Sequence, residues 1–169
     1  MNLGRAFTLP PLAAAAVLVL AALSFAQSPP QPVTWSVALE PAAASAPPGG
    51  RLTLAVKATI AEGWHVYGAD EVADGPRPLR IALAPEQPFK AGKLEAPEPT
   101  RDFDVSFKQV VAFYTRPTTF KLPVTVSSTA GAGETQIRLE VVFQACDGRV
   151  CLPGRTARLS VPIRIAGGH

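Results

Sequence analysis

The chain has 169 residues with 16 basic and 13 acidic side chains, a formal net charge of +3, and these charges are interspersed without a basic block. Such a weak and dispersed charge argues against nucleic-acid binding. The 18 prolines, about twice the usual share, fall at the borders of apolar segments and exclude long helices.

Residues 1–26 have the features of a secretory signal peptide. Arg5 gives a positive start, residues 12–23 form an unbroken apolar run, and Ser24 and Ala26 are small residues at the positions that a signal peptidase reads. The apolar run is shorter than the roughly 18 residues of a membrane span. We therefore expect a cleaved signal and no stable membrane span afterwards, with an uncleaved anchor as the alternative.

The rest of the chain is predicted to be a spacer and one domain. Residues 27–32, rich in Pro, Gln and Ser, are predicted to form a flexible spacer. Residues 33–166 are enough for a single domain with its own core. Because an exported compartment such as the periplasm is oxidising, the two cysteines are expected to be able to pair there.

Apolar and polar residues alternate with a period of two along most of this domain, which predicts β-strands. In chain order the alternating stretches are 33–40, 52–60, 64–67, 79–83, 110–115, 120–126, 137–145 and 156–165, with a short candidate at 93–96. Residues 101–108 show no clean period. About seven to nine short antiparallel strands between Gly and Pro turns predict an all-β, immunoglobulin-like β-sandwich, with a closed barrel as the alternative. Pro162 marks the last strand as an edge or bulged strand.

The stretch 143–153 is the most informative for function. It holds the only two cysteines, Cys146 and Cys151, on either side of Asp147-Gly148, a strong hairpin signal. A hairpin would bring the cysteines within the roughly 5.5–6 Å between Cα atoms that a disulfide requires. Closing so short a loop contributes roughly 2 kcal/mol, near the low end for disulfides. The pair therefore suits opening and closing better than holding the fold together.

Strand parity makes a prediction about access to the cysteines. If the odd-numbered residues of 137–145 face the core, Cys146 faces outward together with Gln144. Exposure suits thiol exchange, because a partner thiolate must reach one sulfur.

The cysteine spacing alone is also compatible with two other functions. The pair could be a structural hairpin disulfide that mildly stabilises a passive binding or assembly module. A Cu(I) or zinc site built from both cysteines and His65 is the third possibility, but Cys-x4-Cys is not a common zinc-finger spacing. No metal ligands are assigned.

Other polar residues have less distinctive surroundings. His65 shares strand parity with Tyr67, which predicts either a polar and aromatic wall beside the thiols or part of a solvated sheet face. Asp102 and Asp104 are expected to be solvated loop charges.

The residues around the cysteines resemble the N-terminal periplasmic domain of DsbD, the transmembrane thiol:disulfide interchange protein. The resemblance rests on Leu-Pro-Val-Thr-Val at 122–126, on Gln-x-Cys…Cys-x-Pro at 144–153 and on Gly-Trp-His-Val-Tyr at 63–67. It covers about Val33 to Ile165. It implies an immunoglobulin-like sandwich whose cysteine pair needs no further cofactor and exchanges electrons with periplasmic partners such as thioredoxin-like proteins.

The resemblance also implies roles for individual residues. Cys146 and Cys151 would be the catalytic pair, with Cys151 as the sulfur that bonds to the partner. A cap loop would shield the pair and swing aside on docking, with Phe107 as its key phenylalanine between Ser106 and Lys108. The active-site wall would consist of His65, Tyr67 and Gln144.

Three features depart from the family pattern. The cysteines are separated by four residues, one fewer than in the best-known members. Val-Ser-Phe-Lys-Gln at 105–109 replaces an acidic-acidic-Phe-Tyr-Gly cap sequence. The chain ends at His169 without a membrane channel or thioredoxin-like domain, so electrons are expected to come from a separate membrane electron-channel protein, unless the domain is adapted to another task. Together these observations predict an exported electron carrier of the protein-disulfide reductase type.

Overall fold

The computed structural model describes residues 31–42 and 45–167. The predicted signal peptide, 1–26, lies outside the described residues, as does most of the predicted spacer, 27–32. Every regular element in the described part of the chain is a β-strand. Nothing in this part forms a helix with the length and apolar character of a membrane span.

Twelve strands make up the described structure. In chain order they are β1 (Val33–Leu39), β2 (Ser45–Ala46), β3 (Arg51–Ile60), β4 (His65–Tyr67), β5 (Arg80–Leu83), β6 (Phe89–Ala91), β7 (Thr100–Asp104), β8 (Gln109–Tyr114), β9 (Thr118–Val126), β10 (Gly133–Phe143), β11 (Ala145–Cys146) and β12 (Arg155–Ile165).

These strands assemble into three four-stranded sheets. The first core sheet has the order β1-β3-β9-β6, the second core sheet has the order β2-β12-β10-β5, and the third sheet has the order β11-β4-β8-β7. Neighbouring strands are antiparallel, apart from β2 and β12, which pair in parallel at the end of β12.

The two core sheets pack face to face over one hydrophobic core. Because successive side chains of a strand point to opposite faces, alternate residues of each strand enter this core. The shared cluster includes Leu54, Val56, Phe120 and Leu122 from the first core sheet and Ile137, Leu139, Val141 and Ile163 from the second. Two antiparallel sheets stacked in this way form an immunoglobulin-like sandwich, so the predicted fold class is confirmed.

The strand count exceeds the predicted seven to nine because strands of two or three residues are too short to show an alternation. β6 precedes the candidate stretch 93–96, where Glu95 forms only an isolated bridge to Lys121. β7 shows no period of two because most of its residues are exposed, which leaves it without an apolar face.

The prediction for Pro162 is confirmed for its own part of β12, although the strand as a whole lies between β2 and β10. It lies on β12 opposite Gln136 of β10, and β2 pairs only with Arg164 and Ile165. Pro162 is therefore on an open edge, where its missing N–H leaves no gap in a ladder.

The third sheet begins where β10 ends. The strand stops at Phe143, Gln144 interrupts the ladder, and β11 pairs with β4 instead of continuing along β12. β4 pairs in turn with β8, and β8 forms a hairpin with β7. This change of sheet brings the cysteine segment, strand β4 and the β7–β8 hairpin together at one place.

Candidate active site

The two cysteines form a disulfide across a tight turn. Cys146 and Cys151 are bonded, with their Cα atoms 4.1 Å apart, and they face each other as an isolated antiparallel bridge. The Asp147 carboxylate accepts hydrogen bonds from the N–H groups of Val150 and Arg149 at 2.7 and 2.8 Å, and these bonds lower its pKa. The predicted Asp-Gly hairpin is therefore present.

The two sulfurs differ in their access to solvent. Cys146 is fully buried, at 0% exposure, whereas Cys151 is partly exposed. The parity prediction that Cys146 faces outward is wrong, because the alternation of β10 ends at Phe143 and β11 joins a different sheet. Cys146 is instead part of a second hydrophobic cluster. This cluster consists of both cysteines and the side chains of Tyr67, Val111, Phe107 and Phe113.

The turn between β7 and β8 covers the disulfide. The Phe107 ring packs in this cluster and meets the Tyr67 ring edge-on, at a centroid distance of 5.6 Å. Ser106 contributes its backbone N–H to the turn, while its side chain is exposed. Lys108 is also exposed and adopts the left-handed backbone conformation that closes the turn, with φ of 55°. Of the three expected cap residues, only Phe107 packs over the pair.

Asp104 organises this turn from within. Its Oδ1 accepts hydrogen bonds from the N–H groups of Ser106 and Phe107 at 2.7 and 3.1 Å. Its Oδ2 accepts a 2.7 Å hydrogen bond from the Tyr67 hydroxyl, which lies 3.8 Å from Cys151 Sγ. The expectation that Asp104 is a solvated loop charge is wrong: the residue is 8% exposed, because its carboxylate satisfies three donors inside the hairpin.

His65 adjoins the same carboxylate. Its Nε2 lies 3.7 Å from Asp104 Oδ2, and its ring packs against the Tyr67 and Phe113 rings at centroid distances of 4.9 and 5.0 Å. In the β4–β11 ladder, His65 is the register partner of Cys146. His65 and Tyr67, two members of the expected wall, therefore both lie at the disulfide.

Gln144, the third member, has a different set of contacts. Its side-chain oxygen accepts a 2.7 Å hydrogen bond from the Arg77 N–H, and its side-chain nitrogen donates to the Leu152 carbonyl at 3.1 Å. These two bonds tie the segment after Cys151 to the neighbouring loop. Gln144 therefore holds the cysteine hairpin in place.

Burial and hydrogen bonding set the protonation states of His65, Tyr67 and Asp104. Burial lowers the pKa of His65, although the charge of Asp104 acts in the opposite direction. Burial and the bond to Asp104 raise the pKa of Tyr67 well above its usual value. Burial would also raise the pKa of Asp104, but the hydrogen bonds from Tyr67, Phe107 and Ser106 outweigh it and lower that pKa. At neutral pH the site thus holds one carboxylate beside a neutral imidazole and a neutral phenol.

Sequence reasoning missed two residues of the site, Asp104 and Phe113. Asp104 does have a local signal, because an aspartate two residues before a serine commonly accepts backbone hydrogen bonds in a turn. Phe113 has none, since it reaches His65 only through the pairing of β8 with β4.

The hairpins that carry the site also carry exposed apolar side chains. Within residues 31–42 and 45–167, the exposed large hydrophobic side chains are Phe103, Val105, Val110 and Val150. All four lie on the β7–β8 hairpin or the cysteine hairpin. In the same described ranges, no three His, Cys, Asp or Glu side chains converge as metal ligands would.

The sequence matches a known protein family. Residues 36–162 match the family described as thiol:disulfide interchange protein DsbD, N-terminal. No curated protein sequence matches the chain.

Two solved structures are similar to parts of the chain. The reduced N-terminal domain of Neisseria meningitidis DsbD is 16% identical, with a TM-score of 0.45 over 78% of this chain and 90% of that one. The full-length major pilin SpaD of Corynebacterium diphtheriae is 9% identical, with a TM-score of 0.45 over 77% of this chain and 34% of that one. Since the family match alone spans more than half of the sequence, the chain belongs to the DsbD N-terminal domain family of thiol–disulfide exchange modules.

Proposed function

We propose that this domain works in the periplasm and passes reducing equivalents between partner proteins through Cys146 and Cys151. The disulfide is the only redox group in this proposal. The observation that supports it best is the asymmetry of the pair: one sulfur is fully buried and the other is partly exposed under a single phenylalanine. A disulfide used only as a staple needs neither an accessible sulfur nor a cap.

Cys151 is the sulfur that bonds to the partner. An incoming thiolate attacks Cys151 Sγ, the Cys146–Cys151 bond breaks, and Cys146 takes the electron pair as a thiolate. The second thiol of the partner then attacks the mixed disulfide and leaves the domain reduced. The reverse sequence, beginning with attack by the Cys151 thiolate on an oxidised partner, delivers the two electrons.

Tyr67 is a polar neighbour of Cys151. Because its pKa is raised, the phenol stays protonated at neutral pH. It donates its one hydrogen to Asp104 through a 2.7 Å hydrogen bond, which fixes the hydroxyl oxygen 3.8 Å from Cys151 Sγ. Tyr67 therefore positions a neutral polar group beside the sulfur that meets the partner.

Phe107 must move before a protein thiol can reach Cys151. Its ring packs on the cluster that contains both cysteines, and the Asp104 carboxylate holds its backbone N–H. Val105 and Ser106, on the outer side of the same turn, are exposed, so a docking protein can displace the turn from outside.

The partners are thioredoxin-like periplasmic proteins on one side and a separate membrane electron-channel protein on the other. The exposed apolar side chains of Phe103, Val105, Val110 and Val150 lie on the two hairpins that carry the site and give these hairpins a surface suited to a protein partner. A small thiol such as glutathione would gain little from this surface, whereas a protein with an apolar rim around its own cysteine would bury it.

A redox titration of the purified protein tests the function. Exchange modules have potentials of about −180 to −270 mV, whereas structural disulfides usually lie below about −300 mV. We expect a value in the first range and rapid reduction by thioredoxin. A potential below about −300 mV, together with resistance to thioredoxin, would instead indicate the passive module with a structural disulfide.

Trapping experiments test which sulfur meets the partner. Cys146→Ser leaves the partly exposed Cys151 free, and this variant should accumulate a mixed disulfide with a single-cysteine thioredoxin activated by Ellman's reagent, from which Cys151 displaces thionitrobenzoate. Cys151→Ser leaves only the buried Cys146 and should trap far less. Equal trapping by both variants would contradict the assignment.

A further inference from the structure

His65 has a buried nitrogen without a hydrogen-bond partner. Within the described ranges, His65 Nε2 and Trp35 Nε1 are the buried side-chain polar atoms that lack a partner. Only 14% of the His65 side chain is exposed. An unpaired buried polar group costs on the order of 1–3 kcal/mol, so His65 needs an explanation beyond packing.

The imidazole adjoins Asp104 and shares a sheet face with Cys146. Directly opposed residues of an antiparallel pair point to the same face, with Cβ atoms about 4.5–5.5 Å apart, and His65 opposes Cys146 in this way. Nε2 is 3.7 Å from Asp104 Oδ2, so Nδ1 is the ring nitrogen that remains to accept a proton. A thiol, an imidazole and a carboxylate are thus neighbours, which is the combination that activates cysteine nucleophiles.

We propose that His65 is the general base for Cys146. This proposal rests on the proposed exchange function and adds its proton step. When Cys151 is joined to a partner in a mixed disulfide, the Cys146 thiol gives its proton to neutral His65. The Cys146 thiolate attacks Cys151 Sγ, the intramolecular disulfide forms, and the partner leaves as a thiolate. Asp104 stabilises the imidazolium until its proton passes to solvent.

Cys146 has 0% exposure in the oxidised protein, so a neighbouring side chain is better placed than water to take the proton of its thiol. An ordinary cysteine has a pKa of about 8.5, and apolar surroundings raise it further, so little thiolate forms unaided at neutral pH. The Tyr67 hydroxyl is already committed to Asp104 and lies beside Cys151. His65 is the titratable side chain that opposes Cys146 directly.

The groups that face His65 suit a base. Asp104 of β7 and Asp147, which follows β11, both favour the imidazolium, whereas Tyr67 of β4 is neutral and Phe113 of β8 covers the ring with an apolar face. Burial outweighs the two carboxylates and lowers the pKa of His65, so the ring is neutral at pH 7 and able to accept a proton.

The reaction of the reduced protein with stoichiometric Ellman's reagent separates the attack by Cys151 from the attack by Cys146. Attack by Cys151 of the reduced protein releases the first thionitrobenzoate, and attack by Cys146 on the resulting mixed disulfide releases the second. His65→Phe retains an aromatic ring against Phe113 but cannot accept a proton. We expect this variant to slow the second release at least about tenfold at pH 7 and to leave the first release unchanged. Above about pH 9 the difference should shrink, because hydroxide then deprotonates the thiol.

Tyr67→Phe is the matched comparison, since it removes a polar group beside Cys151 and should alter the first release instead. The proposal is overturned if His65→Phe leaves the second release unchanged or slows it equally at every pH. If the wild-type protein releases no thionitrobenzoate at all, the exchange function itself is wrong, which is a different outcome.

If His65→Phe fails to fold, the wild-type protein provides an independent test. The quantity measured is the pH dependence of its second thionitrobenzoate release. A base of lowered pKa predicts a plateau between about pH 6.5 and 8, because His65 is already neutral there. A thiol that ionises without a base predicts a rate that rises about tenfold with each pH unit over the same range. Observing that rise would overturn the proposal.

Discussion

Asp104 and Tyr67 are joined by a buried 2.7 Å hydrogen bond across 37 positions of sequence. The same carboxylate holds the backbone N–H groups of Ser106 and Phe107, and the same hydroxyl lies 3.8 Å from Cys151 Sγ. The turn that carries Phe107 and the sulfur of Cys151 are therefore linked through two side chains, Asp104 and Tyr67. Any change that moves this carboxylate should alter both the stability of the hairpin and the access to the disulfide.

Asp104→Ala should destabilise the protein by roughly 2–4 kcal/mol, because three donors lose their acceptor and hydrogen bonds to a charged group are worth about 1.5–3 kcal/mol each before relaxation. Urea unfolding of the oxidised protein measures the loss. Asp102→Ala is the matched control, since the exposed Asp102 makes one local bond to the Phe103 N–H. A loss as large in the control would show that Asp104 has no special role.

Phe107→Ala should speed reduction of the disulfide by dithiothreitol. The edge-on pair of Phe107 with Tyr67 is worth about 0.5–1.5 kcal/mol, so its loss should raise the population of open caps and the rate about 2- to 10-fold. Val105→Ala, at the neighbouring exposed position of the turn, serves as the control and should leave the rate unchanged. Equal rates for the wild-type protein and Phe107→Ala would show that Phe107 does not restrict access to the disulfide.

His65 should make stability depend on pH. Its pKa in the folded protein is lowered from 6.5, so below pH 6.5 the unfolded chain binds a proton before the folded protein does. The unfolding free energy is therefore highest above this pH and falls as the pH decreases. The loss amounts to about 1.4 kcal/mol for every tenfold difference in proton affinity between the unfolded and folded states. Asp104, whose pKa is lowered from 3.8, adds a further loss only in stronger acid.

Unfolding experiments at pH 7 and pH 5 check this dependence. His65→Phe should lose less stability than the wild-type protein between these two values, because its side chain takes up no proton. The same loss in both proteins would mean that His65 is not responsible.

The sandwich was predictable from sequence because its strands bury one face, so the period of two is visible in stretches such as 118–126 and 133–143. The Asp-Gly hairpin was predictable for a similar reason, since a short turn depends on its own residues. Both features arise from interactions that are local in the chain.

The interior of the site was not predictable in this way. The prediction that Cys146 faces outward was wrong because Cys146 lies on β11, which pairs with β4, about 80 residues earlier in the chain. The alternation of β10 therefore does not extend to Cys146. Asp104 looked like a loop charge because its partner Tyr67 is distant in sequence. Burial and electrostatics at this site come from pairings between β4, β8 and β11, and a pattern along one strand carries no information about its neighbours.

The exposed apolar side chains of the β7–β8 hairpin should matter for protein partners and not for small thiols. Phe103 and Val110 are register partners on the β7–β8 hairpin, and 58% and 63% of them, respectively, are exposed. The double variant Phe103→Ser, Val110→Ser should slow reduction by thioredoxin about tenfold, because central apolar contacts carry much of the binding free energy of an interface. Reduction by dithiothreitol should stay at the wild-type rate.

Lys90→Ser is a suitable control for this surface, since Lys90 is exposed on β6 of the first core sheet, away from the third sheet. It should react with thioredoxin and with dithiothreitol as the wild-type protein does. A double variant that reacts normally with thioredoxin would show that partners approach Cys151 without using Phe103 and Val110. A double variant slowed equally with both reductants would show that the substitutions changed the disulfide or its cap, because dithiothreitol is too small to need a docking surface.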